Sequence, residues 1–166
     1  VHELSAKGEE LSVAAVIRAA GISRASFYAH YASLDELADS IRREAFAAIA
    51  DFYEHHDRTD AMHASQERLV AHFASNRALY VAVSALTATK GSYLSGVRMM
   101  AAVIEESLRA HPARPQELDP EVTARYIAGA AYGLLDAWIT GEIVLGEKEL
   151  ANHLTRLLPG WFSGVR

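Results

Sequence analysis

Three helix starts fall within about two dozen residues near the beginning of this chain, and that crowding constrains the fold more than any other feature. Ser12 opens the run SVAAVIRAA, Ser23 precedes RASFYAHY, and Ser33 precedes LDEL. A serine at such a position offers its hydroxyl to backbone N–H groups that the first turn of a helix leaves without partners. Val13, Val16 and Ile17 fall on one face of the first helix, and Gly21 supplies the left-handed residue that commonly ends one. Asp35 and Glu36 favour the positive end of the third helix. A helix, a tight turn and a short second helix over about 24–31 are thereby packed in front of a longer one.

The remainder reads the same way. There is no sustained period-two run of β-branched residues and alanine dominates, so the class is all-α. In the third helix Leu34, Leu37, Ile41, Ala45, Ala48, Ile49 and Phe52 recur at helical steps until the polar stretch HHDRTD. Further helices are predicted over about 60–74, 76–88, 91–110, 120–140 and 147–158, with Gly91, PARPQELDP and Gly141/Gly146 as breaks. This divides the chain into an N-terminal module, 1–44, and a larger helical domain, 45–166. Neither an internal repeat nor a low-complexity tail is visible.

Composition sets further bounds. At 166 residues and 51% hydrophobic content the chain is long enough for one core, or for a small module beside a larger one. The absence of cysteine excludes disulfides, thiolate metal sites and a cysteine nucleophile. With no apolar run long enough to span a bilayer and no signal peptide at its start, a cytoplasmic protein with no membrane partner is expected. A net charge of -5 opposes binding to nucleic acid, but distribution matters more than the sum. From Ser12 to Leu34 the formal charges are Arg18 and Arg24, a locally cationic stretch with acidic flanks.

A helix, a glycine turn and a second helix bearing short polar side chains form the helix-turn-helix arrangement, whose second helix enters the DNA major groove. Ala25 and Ser26 are small enough to let the backbone approach the bases, and Ser12 can offer its hydroxyl and backbone N–H groups to a phosphate. Val16, Ile17, Ile22, Phe27 and Tyr31 supply a miniature core. With Lys7 and Gly8, the stretch LSVAAVIRAAGISRASFYAHYASLDELADSI over residues 11–41 resembles the DNA-binding domain of TetR-type transcriptional regulators. The resemblance implies an all-helical homodimer with a ligand-binding, dimerising C-terminal domain. It also implies that Arg24, Ala25, Ser26 and Tyr28 face bases or adjoining backbone of a double-stranded operator, while Ser12, His30 and Tyr28 contact phosphates. Leu34 stands where the family commonly carries a phosphate-binding lysine. The short stretch before Lys7 leads us to expect a preceding segment with basic arm residues.

Without that motif, Arg24, Ser26 and His30 would read as solvated polar residues on a helix face. The histidines and aspartates of HHDRTDAMH match no compact metal spacing, and neither G-x-S-x-G nor H-E-x-x-H occurs, so no catalytic residue, metal or cofactor is expected. Most aromatic and methionine residues of the second domain should be ordinary core. The candidates for lining an apolar effector site are Phe52, Phe73, Tyr80, Tyr93, Met100 and Trp138. The helix over 122–139 is apolar nearly all round, which places it against its own domain on one side and a second subunit on the other. Gly129 and Gly133 on that helix, with Leu154 and Leu158 on the last, are the candidate dimer contacts. The resulting expectation is a repressor released by a small apolar molecule; its rivals are an all-α ligand-binding or scaffold protein that has lost DNA binding, and a metal-dependent enzyme using the histidine cluster.

Overall fold

The computed structural model of the protein describes residues 12–54, 58–77, 80, 81, 84 and 90–163, and their side chains except those of 19, 38, 48–54, 58–61 and 90–92. Those residues are mostly helical and contain no strand. The helices are α1 (Val13–Ala20), α2 (Arg24–His30), α3 (Leu34–Glu54), α4 (Arg58–Ser75), α5 (Lys90–Ala110), α6 (Pro120–Thr140), α7 (Glu147–Leu157) and α8 (Gly160–Ser163). Arg77, Tyr80, Val81 and Ser84 are also helical, within the segment predicted over 76–88. Among the described residues no helix is long and apolar enough to cross a membrane.

Local chemistry explains the boundaries. Gly21 adopts φ 64°, with its N–H directed to Arg18, while the Ile22 N–H returns to the Ile17 carbonyl, so two carbonyls that α1 leaves open are satisfied. Asp119 caps α6 by accepting from the Val122 N–H, and Pro120 takes the first helical position, where a missing N–H costs nothing. Gly141, at φ 88°, ends the same helix. The four-residue α8 was not foreseen, because a single turn after Pro159 is too short to show a helical period.

Two separate apolar clusters result. Ala15, Val16 and Phe27 form the smaller, with Val13, Ile17, Tyr31, Leu34, Leu37 and Ile41 packed against it. Ile22, expected in this miniature core, is 39% exposed: its N–H closes the turn while its side chain remains at the surface. The larger cluster draws on α3 through α8 and includes Phe46, Leu108, Leu135, Leu150 and Phe162. Helix α3 therefore contributes Leu34, Leu37 and Ile41 to one core and Phe46 to the other, and residue 44, the expected domain boundary, lies inside it.

Between those two positions, Arg42 is buried at 2% exposure. Its Nη1 meets Asp39 Oδ1 at 2.7 Å, and the Ser95 hydroxyl donates to the other Asp39 oxygen at 2.9 Å, tying α3 to α5. Helices α5 and α6 share the most extensive contact in the fold. Gly96 makes it possible, since a Cβ there would come within 2.4 Å of the Tyr132 ring and hydroxyl. Burial pushes the Tyr132 hydroxyl above its ordinary pKa, against the lowering influence of Arg42. Arg77 donates to the carbonyls of Ile139 at 3.0 Å and Trp138 at 3.1 Å, satisfying the end of α6 with a cation.

Candidate nucleic-acid interface

Helix α2 is held by its ends and by one side chain. Ser23 Oγ accepts from the Ser26 N–H at 3.0 Å, and Ser12 Oγ accepts from the Ala15 N–H at 3.2 Å at the start of α1. At the far end Ser33 Oγ accepts from the Glu36 N–H at 3.2 Å, while the Glu36 carboxylate accepts from the Ala32 N–H at 2.6 Å. This reciprocal closure resembles a capping box. Phe27 is the one fully buried residue of α2, packed edge-on to Tyr28 and tilted against Tyr31 at ring separations of 5.4 and 5.8 Å.

Everything else on α2 is available. Arg24, Ala25, Tyr28 and His30 are exposed and Ser26 is half-buried. The Arg24 guanidinium lies 5.8 Å from the centre of the Tyr28 ring, one helical turn away. Such a cation–π contact orients the guanidinium without consuming its hydrogen-bond donors. Tyr28, at 47% exposure, packs its ring in a T-shaped contact with Phe27. No carboxylate occurs between Ser12 and Leu34; Asp35 follows, exposed in the first turn of α3, and Glu36 is turned onto the backbone of Ala32. The structure thus brings Arg24, Ala25 and Tyr28 onto one open face with Ser26 at its edge, sets Ser12 at the start of α1 and leaves His30 at the end of α2. Chemically the face can donate hydrogen bonds, present a positive charge and approach closely at Ala25.

No family model, curated protein or solved structure matches this chain.

The second candidate site is an apolar cavity of about 90 Å³ bordered by α3 to α8 and open in part to the surface. Phe46 forms part of the wall from α3, Met62, Gln66 and Leu69 from α4, Met100 and Ser107 from α5, Ile127 from α6, and Phe162 from α8. Of the residues predicted for such a site, Met100 lines it. Phe73 and Tyr80 stack at 4.2 Å and line a separate hollow of about 10 Å³ beside Arg42, where Tyr80 also bonds His72 at 2.8 Å. Burial holds the Tyr80 hydroxyl far above its usual range. Trp138 is buried, donating from Nε1 to the Leu145 carbonyl at 2.9 Å, and Tyr93 packs edge-on to Tyr132 at the surface. Phe52 belongs to α3, but its side chain lies outside the described residues. Gln66 and Ser107 had no distinguishing signal in the sequence, because the cavity arises from how six helices meet rather than from any local pattern.

The candidate dimer contacts divide in the same manner. A Cβ on Gly129 would meet nothing within 4 Å, whereas one on Gly133 would approach the Tyr93 hydroxyl of its own chain at 3.2 Å. Leu154 and Leu158, expected at an interface, instead line the cavity within their own chain; Leu157 is the leucine that α7 exposes. The open face of α6 carries Val122 and Tyr126, exposed by 68% and 77%. Of the histidine stretch, His63 pairs with Thr155 at 3.3 Å, and His55, His56 and Asp57 lie outside the described residues. Among the described residues no cluster of three potential metal ligands occurs.

Proposed function

We propose that this protein is a TetR-type DNA-binding transcriptional regulator, a homodimeric repressor that releases its operator when a small apolar molecule enters the helical body. The observation that carries the reading is the division of α2: Phe27 alone is fully buried, while Arg24, Ala25, Tyr28 and His30 remain open in a stretch without carboxylates. A short capped helix with one buried anchor has its outer residues free for contact, and a small side chain beside an oriented arginine suits a groove lined by bases and phosphates. Arg24 reads a base or a phosphate, Ser12 and His30 serve the backbone, and Tyr28 supports Arg24 while offering its own hydroxyl.

Helix α3 is the proposed route between the two sites. It holds the α1–α2 unit through Leu34, Leu37 and Ile41 and forms cavity wall through Phe46, so a ligand that favours one placement of Phe46 biases where α2 sits. Dimerisation through the open face of α6, at Val122, Tyr126 and Gly129, would set two copies of α2 at a fixed spacing along the duplex. The protein works in the cytoplasm, needs no cofactor and leaves its ligand chemically unchanged.

Selection of genomic DNA fragments by the intact protein, followed by gel shift, tests this reading. Ser26→Glu places a carboxylate at the edge of the open face and should abolish specific binding with the fold intact by circular dichroism. Wild-type affinity in that variant would remove α2 from the interface. A second reading, an all-α ligand-binding or scaffold protein that does not bind DNA, is favoured by Leu34, whose side chain packs on the small core where the family holds a phosphate-binding lysine. Absence of any selected fragment would favour it.

A further inference from the structure

Among the described residues the wall of the apolar cavity carries no formal charge: its polar side chains there are Gln66 on α4 and Ser107 on α5, both half-buried. An ionised group brought into such surroundings loses hydration that nothing in the wall returns. A neutral oxygen, by contrast, can be met by an amide or a hydroxyl. The Gln66 amide nitrogen now donates to the Met62 sulfur at 3.6 Å, a soft acceptor that a ligand oxygen can readily replace.

Size narrows the class. A cavity of about 150 Å³ is known to enclose benzene; this one measures about 90 Å³. It is too small for a ring at rest, but it opens in part to the surface, so a thin chain longer than the cavity can enter with one end at the mouth. Met62 and Met100, unbranched and deformable, can shift to extend the space along a chain, whereas a rigid ring would demand movement on every side.

We propose that this cavity binds an unbranched, uncharged hydrocarbon chain bearing one neutral oxygen group, held by the Gln66 amide and the Ser107 hydroxyl. The inference deepens the effector site of the regulator reading, but the binding it asserts does not depend on DNA. It separates ligands by charge and by cross-section, so three probes of eight carbons each decide it.

Calorimetric titration of the full chain, without DNA, is performed with 1-octanol, octanoate at pH 8 and 2-cyclohexylethanol. Octanol should bind roughly tenfold or more tightly than either of the others, since octanoate must leave its charge unsolvated and the cyclohexyl ring must open the walls. A smaller preference, a preference for either competitor, or binding by none of the three overturns the proposal. Location is tested with Ala131→Leu, which fills the cavity, and Gln66→Leu, which leaves its volume but removes the amide. Each should weaken octanol binding by roughly tenfold. If Ala131→Leu fails to fold, Gln66→Leu alone carries the decision, and full octanol affinity in a folded variant refutes this site. A protein that binds octanol but no DNA fragment retains this inference and loses the regulator reading; one that binds DNA and none of the probes does the reverse.

Discussion

Helix α3 joins two cores built on different principles. Its first turns meet α1 and α2 around Ala15, Val16 and Phe27, a core so small that end geometry carries much of the local order: the caps at Ser12 and Ser23 and the closed turn at Gly21 fix α1 and α2, and Ser33 caps the start of α3. Its later turns meet α4 and α5 in a body where Leu108, Leu135 and Leu150 are wholly enclosed and burial of apolar area dominates. The contrast teaches why the open face of α2 can be given to recognition. With one residue committed inward and the ends held by caps, the others are released from packing.

The largest expected effect comes from emptying each core in turn. Phe27→Ala should destabilise the α1–α2 unit by about 3–5 kcal/mol, and Leu150→Ala should cost the body about 2–5 kcal/mol. Hydrogen exchange should show fast amides confined to α1 and α2 in the first variant, with the main thermal transition little changed, and a lowered main transition in the second. A uniform loss of protection in Phe27→Ala would mean that the two cores melt as one.

The body offers a second contrast, between two glycines one turn apart on α6. Gly133→Leu must displace the Tyr93 hydroxyl and should lower thermal stability by about 1–3 kcal/mol, whereas Gly129→Leu faces open space in its own chain and should weaken only the dimer proposed through that face. Thermal melting beside analytical ultracentrifugation separates them. If Gly129→Leu leaves a dimer intact, that face of α6 is not the interface.

On the small unit, Arg24→Ala should leave the melting temperature unchanged and cost about 1–3 kcal/mol of discrimination at one base position if the guanidinium reads a base. If it holds a phosphate, affinity should fall for all sequences and the salt dependence should become shallower. Gel shifts on matched and mismatched fragments at several salt concentrations distinguish the two. The smallest effect is expected for Ser33→Ala, which removes the acceptor for the Glu36 N–H and should cost about 1 kcal/mol, read as faster exchange at the start of α3. No change there would show that the Glu36–Ala32 contact suffices on its own.

Much of this architecture was legible before any coordinates. Ser12, Ser23, Ser33, Gly21 and Gly141 marked helix ends because caps and left-handed turns are decided by a few adjacent residues, and α1, α2 and α6 begin or end where those residues require. The inward role of Phe27 followed from its place among the apolar residues of the small core, while the outward role of Arg24 and Tyr28 was what the family resemblance implied. What spacing could not decide was which apolar residue faces which neighbour across tens of positions. Leu154 and Leu158, candidates for an interface, line the cavity in their own chain; Phe73 and Tyr80, candidates for the effector site, line a separate hollow beside Arg42. A helical period states that a face is apolar, but the meeting of α3 to α8 determines whether that face meets its own chain, an empty volume or open water. The local chain fixed the helices and the residues α2 presents, and only tertiary packing created the cavity and set Gln66 and Ser107 into its wall.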